Sequence, residues 1–177
     1  AIAENARNQQ APTESDTSLD TQGEELCAAS RTDFSCYEEL FQGMVQKEGI
    51  PSAFAVLRVA YQGNDYVRAQ CHPLTHVIGR TAAGMFSSVG EAYLNGDSFC
   101  WSGYYHGVME GIIDVIGYSN ITSSMDSICQ DVAVRGRYNF DHYNCVHGLG
   151  HGVMVLTQNE LFDSLKICDN LQDSWER

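Results

Sequence analysis

Apolar residues recur at three- and four-residue spacing through most of the chain, while the alternation of a half-buried strand is sparse. This pattern predicts helices over residues 37–47, 52–62, 74–86, 103–116, 123–132, 147–156 and 160–171. Turn signals separate them: Gly49-Ile50-Pro51, Gly63-Asn64-Asp65, Asn95-Gly96-Asp97 and Ser119-Asn120. Ser119 and Asn120 read as one helix start and Asn159 as the N-cap of another. Residues 1–25 have no apolar period and read as a flexible acidic leader, which leaves residues 26–177 as a helical domain.

That domain contains an internal repeat. Cys100-Trp-Ser-Gly-Tyr-Tyr-His-Gly-Val-Met109 and Cys145-Val-His-Gly-Leu-Gly-His-Gly-Val-Met154 agree at six of ten positions. Weaker copies begin at Cys36, where Gly43 falls seven residues on, and at Cys71, where His76 comes one place early. Units of this length cannot bury their faces alone and must stack, so the expected fold is all-α: an array of about four disulfide-stapled helical hairpins, solenoid-like. The period resembles that of tetratricopeptide and Sel1-like repeats, but the consensus aromatic and alanine positions of those families are absent. The likeness concerns architecture and implies no activity.

Composition narrows the class. Hydrophobic residues make up 44% of the 177, enough for a real core. The formal net charge is −13, of which the leader, with six acidic residues and one arginine, supplies −5. An acidic body is a poor match for phosphate tracking or for a basic membrane-surface helix, and no apolar run reaches spanning length. Nucleic acid and a membrane span are therefore not expected. A protein partner on a concave helical face is compatible with this composition, and oligomeric state is left open.

Seven cysteines without a Cys-x-x-Cys pair point to disulfides and to a secreted, periplasmic or extracellular location. Staples from the end of one helix to the start of the next give Cys27–Cys36 and Cys129–Cys145, with Cys71–Cys100 by elimination. The seventh, Cys168, fits a chain that is the N-terminal part of a longer protein and pairs beyond Arg177. The sequon Asn120-Ile121-Thr122 fits secretion but is too common to decide anything.

All six histidines lie between positions 72 and 151. His72/His76 and His147/His151 are spaced by four, as are His106 and Glu110, so on helices each pair shares a face. Imidazoles with one carboxylate suit zinc, copper or iron, and oxidised cysteines remove the soft alternative. The candidate metal ligands are His72, His76, His106, Glu110, His147 and His151. They exceed the needs of one ion, so either two ions bind or some of these groups orient others by hydrogen bonds. Glu110 is the candidate proton acceptor if the metal activates water or dioxygen, in a hydrolase or an oxidase. His142, beside Asp141, stands outside this set.

Sharper motifs fail. Neither histidine pair carries the zincin glutamate, no Cys-x-x-Cys-His attaches haem, and the glycines at 148, 150 and 152 are followed by no phosphate-loop lysine. Met109 and Met154, at helical spacing, fit core better than a haem axial ligand. Trp101, Tyr104 and Tyr105 could line a ligand pocket with Arg80, although aromatics at a helix start commonly pack between hairpins. Arg80, buried by its apolar context, would pair with Glu91 or Glu110, or bind a substrate carboxylate. Two other readings stand beside the metal site. One is an α-solenoid interaction module with structural histidines. The other is a histidine pH sensor.

Overall fold

The computed structural model describes Cys27, residues 32–130, Val132 and residues 139–172. The leader at 1–25 lies outside the described residues. The described elements are all helical: α1 (Phe34–Glu48), α2 (Ile50–Gly63), α3 (Asp65–Ala69), α4 (Cys71–Ala83), α5 (Val89–Leu94), α6 (Gly103–Ile116), α7 (Tyr118–Ile128), α8 (Phe140–Leu156) and α9 (Leu161–Cys168). No strand occurs among them, and no described helix is long and apolar enough to cross a membrane.

Local signals set most of the boundaries. Asp33, Asn64, Ser88 and Asn139 cap α1, α3, α5 and α8, each side chain accepting an orphan backbone N–H. Pro51 opens α2, where its missing N–H costs no bond. Two expected starts are corrected. α7 begins at Tyr118, one residue ahead of Ser119, because the Gly117 carbonyl takes the amides of Asn120 and Ile121. Asn159 does not cap α9; it sits at φ 66° in the preceding turn, and Glu160 holds the N-cap position. The short helices α3 and α5 were not expected.

At the centre is α6, flanked by α4 on one side and α8 on the other. Tyr104, Val108, Met109 and Ile113 of α6 are buried with Leu74 and Ile78 of α4 and Leu149 and Val153 of α8. α1 and α2 cover α4, and α9 packs on α8. Glycines bring α6 unusually near to α4. A Cβ at Gly79 would strike the Tyr104 carbonyl, one at Gly107 the His76 backbone, and one at Gly111 would lie 2.7 Å from the Ala83 Cβ. The two backbones therefore touch, which any larger residue would prevent. The second strong repeat copy does the same on the other side, where Gly148 and Gly152 meet Met109 and Ile113 of α6.

The disulfides are Cys27–Cys36 and Cys129–Cys145, the two staples expected between helix ends, and Cys71–Cys100, the pair left by elimination. Cys168 is a half-buried free thiol, raised in pKa by burial and by Asp169. The two strong repeat copies start differently. Cys145 lies within α8, whereas Cys100, Trp101 and Ser102 form a left-handed turn with φ of 56°, 58° and 61° before α6. Such a conformation costs roughly 1–2 kcal/mol per non-glycine residue, and the bond to Cys71 helps to hold it.

Candidate metal centre

α4 carries His72 and His76, α6 carries His106 and Glu110, and α8 carries His147 and His151. The glycine contacts bring these helices so near that imidazoles, which reach only a short way from the backbone, meet across them. His106 is central, its ring centroid 5.5 and 5.4 Å from His72 and His76, and 4.8 and 4.6 Å from His147 and His151. Two triads have ligand nitrogens within 4.8 Å of one another: His72, His76 and His106, and His106, His147 and His151. His106 belongs to both.

Hydrogen-bond partners assign the tautomers of the first pair. His72 Nδ1 lies 2.8 Å from the Cys100 carbonyl, which can only accept, so this nitrogen carries a proton. His76 Nδ1 lies 2.8 Å from Glu110 Oε1. Burial alone would raise the Glu110 pKa, but the hydrogen bonds and charges of His76 and Arg80 outweigh it and hold the carboxyl below its ordinary value. Glu110 is thus an ionised acceptor, and His76 Nδ1 donates to it. In the neutral rings both Nε2 atoms are then lone-pair acceptors, yet they face each other at 3.1 Å. Two acceptors are stable at that distance only with a proton or a cation between them. With metal–nitrogen bonds of about 2.0–2.1 Å, neighbouring ligand nitrogens around a tetrahedral ion are about 3.3 Å apart, so the spacing suits one edge of a coordination shell.

The outer pair repeats the motif. His147 and His151 are exposed, and their Nε2 atoms are also 3.1 Å apart. His151 stacks on His106 with the rings inclined by 19°. Partial desolvation of its ring and the neighbouring histidines lower its pKa, against a smaller opposing effect of Glu110. His106 is 6% exposed, and its Nδ1 is buried without a hydrogen-bond partner. An orphaned nitrogen of that kind costs about 1–3 kcal/mol unless a ligand satisfies it.

Glu110 takes a different place from that expected of a ligand. Its Oε1 receives His76 Nδ1 and its Oε2 receives Arg80 at 2.9 Å, so it touches His76 on the side away from His72. Both oxygens are engaged. The carboxylate thus orients His76 by hydrogen bonding and lies outside both histidine triads. Arg80 is exposed rather than buried, because its head reaches past the core to Glu110 and to Glu38 at 3.4 Å. Glu91 instead binds Ser87.

The aromatic candidates and Arg80 have separate partners. Tyr104 is buried, donates to the Ala92 carbonyl and packs on Phe54, and Tyr105 packs on Tyr93. Burial raises both phenol pKa values. Trp101 is 74% exposed, 6.5 Å from the His72 ring. His142 stands in the first turn of α8. One feature of the site was missed: the carbonyl of Cys100, which meets His72 and leaves no mark in sequence.

No family model matches the chain, and no curated protein or solved structure matches it.

Proposed function

We propose that the chain is a metal-binding helical protein of an oxidising, extracytoplasmic compartment. His72, His76 and His106 hold one transition-metal ion of the zinc, copper or iron group, and His106, His147 and His151 hold a second or share the first. The observation that carries this reading is the 3.1 Å contact between two acceptor nitrogens, His72 Nε2 and His76 Nε2, whose tautomers are fixed by their other partners. Three imidazoles leave coordination positions open to water or dioxygen, which suits hydrolase or oxidase chemistry. Three disulfides suit the compartment.

The test is metal content. Untagged protein exposed to zinc, copper and iron and then desalted is expected to retain one to two ions per chain. Less than about 0.2 would contradict the reading, since ligands preassembled on helices should hold metal through desalting.

A second reading is favoured by the glycine contacts: stacked hairpins forming a solenoid-like module for a protein or peptide, with structural histidines. Gly103, Gly107, Gly148 and Gly152 of the two strong copies are accounted for by packing alone. His147→Ala combined with His151→Ala separates the two. Metal binding implies loss of an ion with the metal-free melting temperature unchanged, because both side chains are exposed. Structural histidines imply a marked loss of stability in the absence of any metal.

A further inference from the structure

Between α8 and α9 lies a cavity of about 580 Å³, within the range of about 300–1,000 Å³ usual for small-molecule sites. His147 and His151 form part of its wall. The remainder is mostly apolar, with Leu149, Leu161, Leu165 and Leu171, and among the described residues no Asp, Glu, Lys or Arg lines it. Leu161 and Leu165 are 54% and 51% exposed, an apolar surface that a ligand would remove from water.

The wall joins two chemistries. A triad of neutral imidazoles leaves a divalent ion's charge uncompensated, and a tetrahedral ion on three imidazoles has one position for an outside donor. His106 is buried, whereas His147 and His151 both border the cavity, so an outside donor has access there. Among the described residues none that lines the cavity carries a carboxylate, and Glu110 is engaged by His76 and Arg80. The missing negative charge is the ligand's to bring, and the leucines select what is attached to it.

We propose that this cavity binds an amphiphilic monoanion, in its simplest form a medium-chain carboxylate. Its head completes the coordination of an ion on His106, His147 and His151, and its hydrocarbon tail lies against Leu149, Leu161, Leu165 and Leu171. The inference rests on the metal-binding reading and adds the class of ligand.

The test uses the full chain loaded with cobalt(II), whose visible absorption reports its ligands, titrated with octanoate and separately with acetate. Octanoate is expected to shift the spectrum with at least about tenfold lower half-saturation than acetate, because only its tail removes methylenes from water. Leu165→Asn, a neutral polar change at an exposed position, is expected to keep the cobalt stoichiometry and the acetate response while losing most of the octanoate advantage. Equal response to the two acids, or an advantage that survives both Leu165→Asn and Leu161→Asn, overturns the inference while leaving the metal-binding reading intact. A chain that retains no cobalt contradicts the metal-binding reading itself and overturns this one with it.

Discussion

Burial, with the four neighbouring imidazoles, lowers the pKa of His106 from an ordinary 6.5 to about 3. The folded metal-free protein keeps this ring neutral down to that pH, whereas the unfolded chain takes the proton near 6.5. Between the two values the unfolded state binds more protons, so folded stability falls as pH decreases through the window. The melting temperature of metal-free protein is expected to drop progressively from pH 6.5 toward pH 3, and His106→Leu to flatten that slope; equal slopes for both proteins would refute the assignment. Glu110→Gln keeps an acceptor for His76 Nδ1 but removes the charge that makes the ring a stronger ligand. Metal affinity is expected to fall about 10- to 100-fold in a competition titration with a chelator, with stoichiometry unchanged. Loss of the ion outright would instead make Glu110 a ligand. The residue scale is also where sequence reading stopped short. Spacing by four places His76 above His72 and Glu110 above His106, but it cannot say which ring nitrogen faces which partner. Glu110 therefore read as a ligand when it stands on the far side of His76.

At the scale of elements, the site depends on how near α4, α6 and α8 lie. Gly107 on α6 faces the backbone of His76, and its Cβ has no room unless the helices separate. Gly43 on α1 falls at the matching place in the weak repeat copy, yet a Cβ there would meet nothing within 4 Å. The pair makes a matched test. Gly107→Ala is expected to destabilise by about 1–3 kcal/mol in chemical denaturation and to weaken metal binding. Gly43→Ala should instead stabilise α1 by about 0.5–1 kcal/mol. If both changes act alike, the glycine contacts are not what sets the helix spacing. The long helices were legible because their apolar period is strong. α3 and α5, of five and six residues, give no periodic signal at that length. Nothing in Cys100-Trp101-Ser102 announced a left-handed turn either, since none of the three is a residue type that favours it. That turn matters to the site because its first carbonyl orients His72.

For the whole molecule, three disulfides and a central α6 hold five imidazoles in one cluster, inside a chain of net charge −13. Two of the bonds anchor histidine-bearing helices, with Cys71 next to His72 and Cys145 two residues before His147. The two strong repeat copies gave the clearest sequence signal because their residues serve two purposes: glycines that bring helices together and histidines that meet where they do. X-ray absorption on the zinc-loaded chain addresses the central claim most directly. A first shell of nitrogen at about 2.0 Å with the outer-shell scattering of imidazole rings is the expected spectrum. Sulfur at about 2.3 Å, or a shell of oxygen alone, would contradict coordination by the histidine cluster.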